Sequence, residues 1–88
     1  MDRDQLKRDL KRLIIEELDL RGHTEASIDD DAPLFGEGLG LDSLDALQLA
    51  VAIEEKFSVV IPDDERAKPI FASVTALANY VFEARAAR

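Results

Sequence analysis

The sequence predicts an all-α fold: a four-helix bundle with three main helices, one short third helix and a long loop between helices 1 and 2. Three observations carry this. Apolar residues recur at helical spacing in three separate stretches. Glycine, proline and aspartate gather between those stretches rather than inside them. The one β-like run, Val59-Val60-Ile61, has no second run to pair with.

Residues 4 to 20 read as the first helix. Leu6, Leu10, Leu13, Ile14 and Leu18 line one side, and Lys7, Arg8, Lys11, Arg12, Glu16 and Glu17 occupy much of the other. Gly22 stands just past the end as a stop. Residues 21 to 42 form the long connection, with Asp29-Asp30-Asp31, Pro33 and glycines at 36, 38 and 40. A loop of that length in a small domain is usually functional or disordered. Here Ile28, Leu34, Phe35, Leu39 and Leu41 supply apolar anchors, so an ordered loop wrapped on the bundle is expected.

Residues 43 to 57 read as the second helix, with Asp42 as its N-cap. At about 100° per residue, Ala46, Leu49, Ala50, Ile53 and Phe57 share a face that suits the core. Leu44, Leu47 and Val51 make a second apolar stripe, with Asp45, Gln48, Glu54 and Glu55 near or beside it. A helix in a small bundle needs only one apolar face. The second is either a docking surface or is covered by the long loop. Ser58 to Asp64 is a connection containing Pro62, and a short helical turn is expected near Glu65 to Lys68, ended by Pro69. Ser73 caps the last helix, whose stripe is Val74, Leu77, Ala78, Val81 and Phe82. Tyr80 is expected at the edge of that helix with its hydroxyl in water, and His23 on the surface. Arg85 and Arg88 fall near the helix C-terminus, where positive charge is favourable.

A length of 88 residues favours a single domain spanning residues 1–88. The formal charge of −8 arises from 19 acidic against 11 basic residues. It disfavours nucleic acid and anionic membranes, and steers the chain toward basic patches on protein partners. The absence of cysteine excludes disulfides, thiolate metal sites and a cysteine nucleophile. The start, Met1-Asp2-Arg3-Asp4, is charged and unlike a signal peptide. No apolar run approaches the roughly 20 residues of a membrane span. A soluble, cytoplasmic monomer is expected. Asp29, Asp30, Asp31 and Glu37 lack the ligand order of a calcium loop and read as solvated acids and a turn, with no metal. Gly36-x-Gly-x-Gly follows no strand and lacks a Gly-Lys-Ser/Thr, so it is not a nucleotide loop.

The segment that bears on chemistry is Gly40-Leu41-Asp42-Ser43-Leu44-Asp45. It sets a serine hydroxyl in the first turn of a helix, straight after a glycine-rich entry. Helix N-termini carry unpaired N–H groups and a positive dipole end, which suit a phosphate diester. A serine in this place is most often only a cap. It is also no hydrolase nucleophile: His23 is the sole histidine, and the Gly-x-Ser-x-Gly elbow is missing.

Leu41-Asp42-Ser43-Leu44-Asp45 resembles the Asp-Ser-Leu attachment motif of acyl carrier proteins. Glu54-Glu55-Lys56-Phe57 resembles the acidic end of that family's second helix. Ile61-Pro62-Asp63-Asp64-Glu65 resembles the Ile-Pro-Asp segment that follows, and Ser73-Val74-Thr75-Ala76-Leu77 the start of the final helix. The likeness runs over most of residues 34 to 82 in the right order and spacing. The resemblance implies that Ser43 bears 4′-phosphopantetheine, donated from coenzyme A by a magnesium-dependent phosphopantetheinyl transferase, and that Asp42 helps position that transfer. It implies a non-catalytic carrier of acyl groups as thioesters, for fatty acid, polyketide or related specialised lipid biosynthesis, with the thiol supplied by the cofactor. It also implies that Leu44, Asp45, Leu47, Gln48, Val51, Glu54 and Glu55 meet partner enzymes: the transferase, an acyl-loading ligase or transferase, a ketosynthase and others of the pathway.

Three departures from the family pattern fit a specialised carrier. Gln48 stands where glutamate is common, the loop is rich in glycine, and Arg66 to Phe71 looks longer than the usual third helix and is interrupted by Pro69. Two alternatives remain at this point: a peptidyl or aminoacyl carrier of nonribosomal synthesis, against which the acidic balance leans, and an unmodified helical interaction module with Ser43 as a cap.

Overall fold

The computed structural model describes residues 2–35, 40–62 and 64–86. The glycine-rich segment 36–39 with Leu39 and Glu37, Asp63 of the Ile-Pro-Asp segment, and Arg88 lie outside the described residues. The architecture is all-α, with four helices in the expected order and no strand among the described residues. Helix α1 spans Arg3–Glu17, α2 Ser43–Phe57, α3 Ala67–Ile70 and α4 Val74–Ala86. α1 packs on both α4 and α2, and α3 packs on α4.

Helix α1 starts where Asp2 accepts the Gln5 N–H at 2.7 Å. Its stripe of Leu6, Leu10, Leu13 and Ile14 is buried, as the spacing predicts, while Leu18 packs only partly against the core. The helix ends earlier than expected. Leu18 closes it, Asp19 takes a left-handed conformation at φ 50°, and the Leu20 N–H returns to the Ile15 carbonyl at 3.0 Å. That is a helix-ending bond from just past the cap to the last turn, with aspartate in the place glycine most often takes. Gly22, at φ 87°, serves the next turn rather than the helix stop.

The long connection is ordered over its described residues. Thr24 and Ser27 cap each other's backbone around a 3₁₀ turn at Glu25–Ser27. Ile28, Leu34 and Leu41 are buried and Phe35 is partly so. Asp29 and Asp31 are exposed in the expected turn, while Asp30 is not simply solvated. Asp29 accepts the Asp31 N–H at 2.9 Å, which makes the turn. Asp30 is half-buried, ion-paired to Lys11 and, at 3.8 Å, to Lys7, while its carbonyl accepts the Thr75 N–H at 2.9 Å. One residue thus fastens the loop to α1 and α4 together.

Two corrections concern the C-terminal half. Pro69 does not stop α3: it lies inside that helix, in the first turn, where a missing N–H breaks no intrahelical bond. The Ala67 N–H and Lys68 N–H bond back to Asp64 and Glu65 carbonyls at 3.0 and 3.2 Å, so the chain is already turning before the proline. Tyr80 is partly buried and its hydroxyl is not left to water, because it donates to the Val60 carbonyl at 3.0 Å. Ser73 does cap α4, accepting the Ala76 N–H at 3.1 Å, and Val74, Leu77, Ala78 and Val81 are buried. Phe82 is partly buried, with the Arg3 guanidinium 4.6 Å over its ring. His23 is exposed as expected.

Candidate functional site

Asp42 and Asp45 build the start of α2. The Asp42 side chain accepts the Asp45 N–H at 3.0 Å, and the Asp45 side chain accepts the Asp42 N–H at 3.1 Å. This reciprocal box settles two otherwise orphan donors of the helix end. Gly40, at φ 74°, lets the loop turn sharply into Leu41, which is buried and bridges back to Phe35. Ser43 is the first residue of the helix and is exposed. Because Asp42 is the capping side chain, the serine hydroxyl is not committed to that duty.

A cleft of about 550 Å³ opens at Ser43. On one side stand Ala46, Leu47 and Ala50 of α2; on the other stand Pro62, Ala67 and Phe71. Phe35 and Leu41 from the long loop complete the apolar lining, with Phe35 meeting Phe71 edge to face at 6.2 Å between ring centroids. Asp42, Asp64 and Lys68 bring polar groups to it. Arg66 grips Asp64 through guanidinium Nε and Nη2, with contacts of 3.0, 3.2 and 2.9 Å, and that hydrogen bonding holds the Asp64 carboxyl below the usual carboxylate range. Lys68 pairs with Glu65 at 3.3 Å.

The core face of α2 is shifted from the expected one. Leu49, Ile53 and Phe57 are buried as expected, but so is Ala52. Ala46 and Ala50 lie only half-buried at the edge of that face, where they line the cleft. The second stripe is open: Leu44 is 75% exposed, Leu47 55% and Val51 48%. Three large apolar side chains left in water along one helix are an unusual grouping. Glu54 and Glu55 are exposed on the same helix. Asp45 and Gln48 differ from these, since each is engaged within the molecule: Asp45 in the capping box, Gln48 through Nε2, which donates to the Glu17 carbonyl at 2.5 Å. Among the described residues no group of three or more acidic or histidine side chains could hold a metal. No described helix is long and apolar enough to cross a membrane.

A family model described as the phosphopantetheine attachment site matches residues 8–81. The chain also resembles the acyl carrier protein of Wolinella succinogenes, with 36% identity over 73 residues, covering 83% of this chain and 88% of that one. The chain belongs to the acyl carrier protein family. The acyl carrier protein of a Sulfurovum species is 40% identical over 57 residues, 65% of this chain and 71% of that protein. The family makes this protein a carrier rather than an enzyme, with 4′-phosphopantetheine as its covalently attached prosthetic group.

The geometry at the start of α2 fits such a group. A phosphodiester on the exposed Ser43 would sit at the N-terminal end of a 15-residue helix, where the dipole favours negative charge. A flexible arm there has an apolar cleft beside it. The structure brings Ser43 and Asp42, the residues singled out from the sequence, to the mouth of the cleft, and leaves the second stripe of α2 exposed. Sequence reasoning missed the far wall of the cleft, because Pro62, Ala67 and Phe71 come together only by tertiary packing. The sole available signal was the small side chain of Ala67 within an otherwise polar turn.

Proposed function

We propose that Ser43 is the attachment site of the 4′-phosphopantetheine arm, and that the carrier serves fatty acid, polyketide or related specialised lipid biosynthesis. The observation that carries the proposal is the exposed Ser43 at the first position of α2, at the mouth of an apolar cleft, with capping already assigned to Asp42. The arm supplies a terminal thiol on which acyl groups ride as thioesters, which suits a chain that has no cysteine. Ser43 contributes the hydroxyl oxygen that forms the phosphodiester, and Asp42 sits next to it to orient the transfer.

The cleft is the place for the acyl chain. Ala46, Ala50 and Ala67 leave space that larger side chains would fill, and Phe35, Leu41 and Phe71 give apolar contact. Burying a chain there shields its thioester from water and is worth about 0.8 kcal/mol per methylene. Partner enzymes dock on the open stripe of Leu44, Leu47 and Val51, flanked by Glu54 and Glu55. Acidic residues speed encounter with basic partner surfaces, and a small apolar centre keeps each docking reversible. Residues 1–88 act as one carrier domain, working as a monomer in the cytoplasm.

The deciding experiment is incubation with coenzyme A, magnesium and a broad-specificity phosphopantetheinyl transferase, followed by intact-mass measurement. One arm is expected on the wild type and none on Ser43→Ala. A folded wild type that gains no mass, or a Ser43→Ala protein that does, would reject the assignment.

A further inference from the structure

The two walls of the cleft are built differently. The α2 wall belongs to a 15-residue helix with Leu49, Ile53 and Phe57 sunk in the core. The opposite wall, Pro62 with Asp64 to Phe71, holds only the four-residue α3, which packs on α4. Its position depends on that packing and on how the chain is held where it enters and leaves. At the exit, the Leu34 N–H meets the Ala72 carbonyl at 3.4 Å and Phe35 meets Phe71. At the entry the chain has no regular secondary structure, with Val59 and Ile61 buried and Val60 between them 68% exposed. There the Tyr80 hydroxyl, reaching from α4, donates to the Val60 carbonyl at 3.0 Å. Tyr80 is not among the cleft's lining residues, so it acts on the cleft through the backbone it holds.

We infer that Tyr80 is a specificity-determining positioning residue, whose bond to Val60 fixes the entry of the α3 wall and so limits the length and bulk of the acyl chain the cleft admits. The inference rests on the reading of Ser43 as the arm's anchor and of the cleft as the cargo's place. With the pin in place the wall gives little, and the alanines of α2 set the room available. Without it the entry is held only by the buried Val59 and Ile61, the wall gives at that end, and longer or branched chains enter.

The test uses Tyr80→Phe, which deletes the hydroxyl and keeps the ring. Its first part needs no arm. Hydrogen exchange of the unmodified protein is expected to quicken roughly two- to tenfold at the amides of residues 64–72, the effect of one net hydrogen bond, and to stay unchanged at Leu10 and Leu13 of α1. No change at 64–72, or an equal rise in α1, overturns the inference and marks Tyr80 as a stability residue only. The second part loads wild-type and variant holo proteins with acyl chains of rising length and measures thioester cleavage by hydroxylamine. The variant is expected to extend protection to longer chains while short chains cleave as in the wild type. An unchanged length profile overturns the inference and leaves the carrier reading intact. Failure of the wild type to accept the arm at all rejects the carrier reading instead.

Discussion

Gln48, in the middle of α2, donates its side-chain Nε2 hydrogen to the backbone carbonyl of Glu17, 2.5 Å away in the last turn of α1. The carbonyls at a helix C-terminus carry partial negative charge and lack intrahelical partners. A carboxamide supplies what that position needs; a carboxylate cannot. Gln48→Glu removes a hydrogen bond worth about 0.5–1.5 kcal/mol and sets a negative charge against the helix end, at a further cost of about 0.3–1 kcal/mol. Thermal unfolding should show Tm falling by several degrees, at roughly 4–8 °C per kcal/mol for a domain of this size. Gln48→Lys, which restores a donor with positive charge, should stay close to the wild type. A Gln48→Glu protein as stable as its parent would contradict this account.

Asp42 has two separable roles, and a pair of variants divides them. Asp42→Ala loses the acceptor for the Asp45 N–H and should cost about 1 kcal/mol in denaturant unfolding. Asp42→Asn keeps an acceptor and should cost only a few tenths of that. If Asp42 also orients arm transfer to Ser43, Asp42→Asn should fold normally and still gain the arm more slowly, followed by intact mass over time. Equal transfer rates in Asp42→Asn and wild type would confine Asp42 to capping.

Most of the fold was readable from the sequence because its signals are local. Heptad-like spacing in α1, Asp42 before α2 and Ser73 before α4 each act within one or two turns of chain. What was not readable depends on distant partners. Pro69 looks like a breaker until Asp64 and Glu65 are seen to start the turn ahead of it. Asp30 looks solvated like Asp29 and Asp31 until Lys7 and Lys11 of α1 reach it. Ala50 looks like a core residue because periodicity reports the angle around a helix, and α3 stands back from α2 at that angle. The motif marks Ser43 as the candidate from sequence alone, whereas the cleft beside it needed three segments to meet.

Asp30 makes the loop's attachment pH-dependent. The hydrogen bond from Lys11, helped by the charges of Lys11 and Lys7, holds the Asp30 carboxyl below the usual carboxylate value, against a smaller opposing effect of burial. A folded-state pKa below the unfolded value of about 3.9 stabilises the fold above that value, and the benefit is lost as pH falls through the folded pKa. Asp30→Asn should therefore cost about 0.2–1 kcal/mol at neutral pH, the range for a partly exposed ion pair. The difference should shrink once the pH drops below about 4 and continue to narrow as the wild-type carboxyl protonates. Urea unfolding of both proteins across that interval measures it, and a constant difference at every pH would show that the ion pairs are not its source.

Ala50 offers the sharpest check on the cleft itself. Ala50 is half-buried: it packs against the core and also lines the space of about 550 Å³. Enlarging a residue in a filled core usually costs about 1–3 kcal/mol through overpacking, but Ala50→Leu extends into open cleft and should leave stability near that of the wild type. Ser43 and the capping box lie nearly two turns away, so arm transfer should proceed at the normal rate. The effect should appear only with a long cargo. Each methylene excluded from the cleft forfeits about 0.8 kcal/mol of burial, close to a fourfold change in the balance between shielded and exposed states. Displacing two or three methylenes should raise hydroxylamine cleavage of a medium-length acyl thioester on the order of tenfold or more, with a two-carbon cargo unaffected. Equal cleavage in Ala50→Leu and wild type at every chain length would mean that the acyl chain lies elsewhere, and that the alanines of α2 serve packing alone.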